Sequence, residues 1–352
     1  MTGTSFNGRF LRACRRQPVD RTPVWFMRQA GRYLPEYREL RGTQDILAAC
    51  KDPALVTEIS LQPLRRMDVD AAIVFSDIMV PLRGVGVDVR IETGRGPVVD
   101  RPLRSTEDIG RLRPLVAEAD VPEALEAIRL LRKELSVPLI GFAGAPFTLA
   151  SYLVEGGPSK QHERTKSLLY GDPALWEDLM RRLNDIVAPH LIAQAEAGAQ
   201  ALQVFDSWVG ALNPRAYRRS VWPHMQDLFV RVAAGAPDVP LIHFGVGTGE
   251  LLPLMASAGG DVIGVDWKTP LDDAWARVGG HESRAIQGNL DPAVLLSSWD
   301  AAREETRQVL AVAGGRDGHI FNLGHGVLPG TSPDLLRRVV DLVHEDTERE
   351  AA

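Results

Sequence analysis

The sequence predicts an α/β fold, a single distorted (β/α)8 barrel of the TIM type with a β-hairpin inserted after the second strand, occupying residues 1–352 as one domain. Three observations lead there. Eight short apolar runs recur along the chain, as expected of parallel strands buried on both faces. Amphipathic stretches of helical period separate them. Polar residues stand at the C-terminal end of almost every run, which is where a barrel builds its site. A doubly wound open sheet would give a similar alternation and is the runner-up.

The predicted strands are 22–26, 71–75, 139–143, 201–205, 241–244, 262–265, 284–287 and 319–322. Between them, Leu175, Leu179, Leu183, Ile186 and Val187 mark one helical stripe, opened by Asp172-Pro173. Leu335, Leu336, Val339, Val340 and Val343 mark another, with Ser332 as cap and Pro333 at the first helical position. Asp291-Pro292 opens a helix before Leu295, and Thr248 is read as the cap of the helix that follows it. Residues 87–91 and 97–99, joined by Thr93-Gly94-Arg95-Gly96, read as the hairpin. Its position after the second strand hangs it over the site as a lid or rim.

Composition narrows the function. The chain has 352 residues, 45% hydrophobic and 24% charged, with a net charge of −6. That is a globular composition with no basic excess for coating nucleic acid or a membrane surface. No apolar run is long enough to span a bilayer, and the first residues lack an apolar signal core, so a cytoplasmic setting is expected. Cys14 and Cys50 fit neither metal spacing nor a disulfide framework. There is no His-Glu-x-x-His motif, no Gly-x-Ser-x-Gly elbow and no Cys/His cluster, so chemistry without metal or covalent cofactor is expected.

The most informative run is Phe26-Met27-Arg28-Gln29-Ala30-Gly31-Arg32, apolar and then abruptly cationic. Guanidiniums just past an interior strand are costly unless something anionic meets them. Arg28 and Arg32 therefore read as the floor of a pocket for a polyanionic small molecule, since the guanidinium fork matches carboxylates and keeps its proton. Ion pairs with Glu36 or Glu39 are the structural alternative. Other strand ends carry Ser76-Asp77, Thr148 and Tyr152, Asp206-Ser207, His243, Asp266, Gln287 and Asn289, and Asn322 with His325. His325 lies between Gly324 and Gly326, which would let it approach a ligand closely. Asp206 and Asp266 can equally be helix caps, and His243 and His319, within strands, suit core roles better.

These residues carry a resemblance. Phe26 to Glu36, Gly141 to Leu149 running on to Gly157, Phe75-Ser76-Asp77-Ile78, Phe205-Asp206-Ser207-Trp208 and Gly324-His325-Gly326 resemble, in order along the chain, the signatures of the uroporphyrinogen decarboxylase family. The resemblance implies a barrel, usually a homodimer. It implies removal of carbon dioxide from the four acetate side chains of uroporphyrinogen III, leaving methyl groups and giving coproporphyrinogen III with no cofactor. Residue by residue, it implies that Arg28, Arg32, Arg41, Asp77, Tyr152, Ser207 and His325 line the cleft, with Asp77 and Arg28 catalytic. The guanidiniums are expected to keep Asp77 ionised as the counter-charge of a protonated pyrrole. A zinc- or cobalamin-type methyltransferase on the same barrel, a non-catalytic tetrapyrrole-binding protein and a sugar-phosphate barrel lyase are the competing readings.

Overall fold

In the computed structural model, which describes residues 6–92 and 94–349, the apolar runs form a curled parallel sheet wrapped in helices. Its strands are β1 (Ala72–Ile73), β4 (Leu139–Gly144), β5 (Ala201–Asp206), β6 (Leu241–Gly245), β7 (Val262–Gly264), β8 (Ala285–Gln287) and β9 (His319–Ile320), hydrogen-bonded in that order. Each neighbouring pair is parallel, from Ala72 opposite Leu139 to Gln287 opposite Ile320. The remaining strands, β2 (Val89–Glu92) and β3 (Gly96–Val99), form a separate antiparallel pair in which Val89 faces Val99.

Seven of the eight expected strands lie in the large sheet. The first is reduced to an isolated bridge between Val24 and Phe321. Side chains take over from the ladder there. The amide of Val24 donates to Asp70 Oδ2 at 2.8 Å, that of Phe26 to Gln29 Oε1 at 3.1 Å and that of Met27 to Asn322 Oδ1 at 3.2 Å. Main-chain bonds from Asp70 to Val24 and from Phe321 to Pro23 complete the closure between β9 and β1. Buried amides need partners whatever their source. A side chain that satisfies them leaves no repeating pattern, and this is the distortion of the barrel.

The helix starts follow their caps. Asp172 accepts from the amide of Leu175 and opens Pro173–Ala197, and Ser332 does the same for Leu335 ahead of Pro333–Thr347. Asp291 opens a short 3-10 turn, Pro292–Leu296. Thr248 is a correction: it is buried and its side chain caps nothing, the next element being the 3-10 turn Gly249–Leu251.

Two apolar layers result. Trp25, Met27, Ile73, Ile140, Ile242, Phe244, Val262 and Ile320 fill the barrel, with Phe10 and Cys14 of the helix Arg9–Cys14 among them. A larger layer joins the sheet to the surrounding helices. Even the interior carries a polar chain, because Trp25 Nε1 donates to Gln287 Oε1 at 2.9 Å and Gln287 Nε2 to Gln203 Oε1 at 3.0 Å.

Candidate active site

The run that follows the first segment is irregular. Arg28 has φ +59°, a left-handed conformation that side chains with a Cβ rarely adopt. Gln29 holds it there. Fully buried, it donates to Ala71 O at 3.1 Å, accepts from the amide of Phe26, and its own carbonyl receives the Tyr33 hydroxyl at 2.8 Å. With Gln29 tucked inward, Arg28 and Arg32 are left exposed above it. Among the described residues neither they nor Arg41 pairs with a carboxylate, and Glu36, the expected structural partner, is bound by Arg66 instead. The guanidiniums are thus available to an anionic ligand.

Asp77 is placed by a strand that leaves its sheet early. β1 ends at Ile73, and the amide of Phe75 is taken by the Ser60 hydroxyl at 2.8 Å rather than by a neighbouring strand. The chain then turns through Ser76 and Asp77. Asp77 Oδ1 accepts from the amide of Met79 at 2.9 Å, and that is its one hydrogen bond within the described residues. Burial pushes its carboxyl up, and Asp45 adds to the rise, while the Met79 amide and the Arg28 charge pull the other way. The expectation that guanidiniums would dominate is therefore reversed, because desolvation is the larger effect. Arg28 is the guanidinium whose charge reaches Asp77, and it does not outweigh desolvation.

Tyr152 and His325 complete one group with these two. Tyr152, on the helix Pro146–Glu155, has its hydroxyl pushed up by burial and by the Asp77 charge, against the pull of Arg28. His325 is pushed down to about 4, by burial and then by Arg28, so it is a neutral imidazole at physiological pH. The two glycines beside it lie against protein neighbours. A methyl group on Gly326 would collide with the Arg28 side chain, and one on Gly324 with the backbone of Trp267. They bring protein neighbours close, and Arg28 packs on the Gly326 backbone.

Ser207 is half-buried and follows Asp206 directly at the end of β5. Trp208 beside it meets the Tyr152 ring edge-on at 5.8 Å. Arg41 is less integrated. It ends the helix Pro35–Arg41, lies 5.5 Å from the Tyr37 ring and donates to Gln44 O. Its charge and that of Arg32 are both felt at Tyr37, whose ring meets Phe75 at 5.7 Å, so it borders the Asp77 turn from outside.

Several strand-end polar residues serve the fold rather than the cleft. Asn289 donates to the carbonyls of Asp266 and Thr269, Asn322 accepts from Met27 and Leu323, and Asp266 accepts from the amides of Gly247 and Lys268. His319 meets Gly288 O at 3.1 Å within the core. Sequence reasoning missed Trp267, which stands at the end of β7 with its ring 6.1 Å from His325. Its position immediately after Asp266 is the signal that could have found it. Gln29 is a second such residue, less conspicuous in the sequence than the arginines near it.

The strand ends of a parallel α/β barrel here gather guanidiniums with no carboxylate partner among the described residues, an under-bonded carboxyl, a phenol and an imidazole, a set of groups chemically suited to an anionic small molecule. Comparison with known proteins makes this specific. Residues 5–346 match the family model described as Uroporphyrinogen decarboxylase (URO-D). A uroporphyrinogen decarboxylase of Streptomyces avermitilis is 59% identical over 346 residues, covering 98% of this chain and 96% of that one. Another from Streptomyces griseus is 60% identical over 341 residues, covering 97% and 92%. The chain belongs to the uroporphyrinogen decarboxylase family. Among solved structures, a methyltransferase from Methanosarcina mazei superposes with a TM-score of 0.78 at 21% identity, covering 97% of this chain and 99% of its own. That likeness is one of fold alone.

Proposed function

We propose that this chain, acting as one catalytic barrel, removes carbon dioxide from the four acetate side chains of uroporphyrinogen III and releases coproporphyrinogen III in haem biosynthesis. The observation that carries the reading is the juxtaposition of unpaired Arg28 with under-bonded Asp77, Tyr152 and neutral His325 at one end of the barrel.

The substrate carries eight carboxylates, and Arg28, Arg32 and Arg41 supply fixed charge to hold them, with the hydroxyls of Tyr152 and Ser207 and the imidazole of His325 as neutral partners. The chemistry needs an electron sink. A proton added to the ring carbon beside an acetate makes the pyrrole a cation. The bond from the acetate methylene to its carboxylate then breaks, and its electron pair flows into the ring as carbon dioxide leaves. A second proton reaches the methylene carbon while the ring carbon returns the first. The net change is one acetate and one proton to one methyl and carbon dioxide.

Asp77 suits the cation. With a single backbone donor, its oxygens have unused capacity for pyrrole N–H groups. Those donors and the positive ring draw its raised carboxyl back to the ionised form, so the counter-charge is established by the substrate itself. Arg28 holds the reacting acetate. As an arginine it is a poor acid, and the proton comes from a protonated substrate carboxyl or water.

The chain is expected to work as a cytoplasmic homodimer with no cofactor, metal, nucleic acid or membrane partner. No helix among the described residues is long and apolar enough to cross a membrane. The test is anaerobic incubation of the metal-stripped protein with uroporphyrinogen III, followed by chromatography of the oxidised products. Seven-, six-, five- and four-carboxyl species are expected. Intact eight-carboxyl substrate beside an active control would reject the reading, and tight binding without turnover would favour a tetrapyrrole carrier.

A further inference from the structure

The outer side of β5 carries a buried polar group that the reaction above does not use. Phe205 points into the barrel, where its ring meets Phe142 at 5.4 Å and Phe244 at 5.9 Å. Strand alternation then turns Asp206 outward, between the sheet and its helices. Asp206 is 0% exposed, yet among the described residues no cation lies within hydrogen-bonding distance of it. Its Oδ1 accepts from the Thr148 hydroxyl at 3.0 Å. Its Oδ2 lies 3.7 Å from Nε2 of His243, which is equally buried, and forms no hydrogen bond there. A carboxyl so placed is a poor stabiliser, because desolvation is not offset by a close ion pair.

Its geometric consequence is more telling. The Thr148 hydroxyl that donates to Asp206 also accepts from the amide of Trp208 at 3.3 Å. One hydroxyl therefore ties down both residues flanking Ser207. Trp208 in turn packs edge-on against Tyr152 at 5.8 Å and meets the His162 ring at a tilt at 5.4 Å. Thr148 lies one helical turn before Tyr152 on the same helix, so the cleft hydroxyls of Tyr152 and Ser207 are fixed relative to each other through a single side chain.

We infer that Thr148, with Asp206 behind it, is a positioning residue that sets Ser207 and Tyr152 as a pair against the substrate's carboxylates. What is positioned rests on the decarboxylase reading, whereas the clamp itself does not.

Thr148→Val keeps the shape and removes both hydrogen bonds, and Thr148→Ser keeps them. In hydrogen exchange followed by mass spectrometry, Thr148→Val should speed exchange across residues 206–212 by about tenfold, the scale of one lost buried hydrogen bond. Thr148→Ser should match the wild type. With uroporphyrinogen III, Thr148→Val should lower kcat/KM by about tenfold, and this loss should shrink when Tyr152 is already phenylalanine, since coupled residues are not additive. A lowered Tm with unchanged exchange over 206–212 would overturn the clamp. Faster exchange with losses that simply add to those of Tyr152→Phe and Ser207→Ala would overturn positioning. If the wild type makes no coproporphyrinogen, the decarboxylase reading fails while the exchange comparison still decides the clamp. Should Thr148→Val not fold, Thr148→Cys, a weaker hydrogen-bonding group, takes its place in the same comparisons.

Discussion

Two aspartates flank the same short strand and have opposite surroundings. Asp70 lies two residues before β1, at the closed end of the barrel, and is 1% exposed. It is bonded by Arg9, by Asn7 at 2.9 Å, by the amide of Val24 at 2.8 Å and by His344 at 2.8 Å. These partners come from both ends of the chain, and together they hold its carboxyl below the ordinary value in spite of burial. Asp77 lies four residues after the strand, has one backbone donor, and burial pushes it up. The lesson is one of division of labour. The end of the barrel that satisfies its charges supplies stability, and the end that carries Asp77 leaves hydrogen-bonding capacity unused.

Substitution at either aspartate separates stability from turnover. The largest effect is expected for Asp70→Ala, which takes away one of the two carboxylate partners of Arg9 and unties the chain ends. Stability should fall by about 3–5 kcal/mol, the usual cost of breaking a buried charged pair, while turnover per folded molecule is kept. Denaturant unfolding checks this, and wild-type stability would end the distinction. Asp77→Asn should do the reverse. Turnover should drop by about 10²-fold or more, some 2.7 kcal/mol in the barrier, with Tm unchanged or higher because a desolvated charge is gone. Near-normal turnover would remove Asp77 from the chemistry.

Arg32→Lys sharpens the picture at the rim. It retains charge and loses the fork, so KM should rise by about tenfold, or about 1.4 kcal/mol, with kcat little changed. Unchanged KM would argue against a carboxylate clamp. The smallest effect is in the pH dependence of stability. Asp70, lowered in the folded state, contributes fully above the unfolded value of about 3.9 and is lost as pH falls below it. Asp77, raised in the folded state, contributes a penalty that grows as pH rises from about 3.9 through its raised value. Asp70→Asn should flatten the acid limb, and Asp77→Asn should remove a decline above it. Unfolding free energies across pH 3–8 would show identical curves if neither carboxyl were perturbed.

Much of the barrel was legible because buried parallel strands are short apolar runs and helices carry their caps. The pattern at Asp172-Pro173 and Ser332-Pro333 is local chemistry, and local chemistry can be read from order alone. The first strand was over-read. Residues 22–26 have the composition of a strand, but the amides of Val24 and Phe26 are met by the side chains of Asp70 and Gln29 rather than by a neighbouring strand. Polar strand ends and motif resemblance point to the candidate cleft residues, yet the same rule also gathers Asn289, Asn322 and Asp266, whose side chains satisfy backbone.

The sequence by itself determined the class of fold, the caps, and the candidate groups of the cleft, since periodicity and residue type are properties of the chain. Tertiary structure alone decided which charges were left unpaired. Glu36 stands four residues from Arg32 but pairs with Arg66. Gly326 has Arg28, nearly the whole chain away, packed against its backbone. Asp77 is raised while Asp70 is lowered, although seven positions separate them. The free energy of a charge depends on the dielectric and the donors around it, and those are assembled only when distant segments meet.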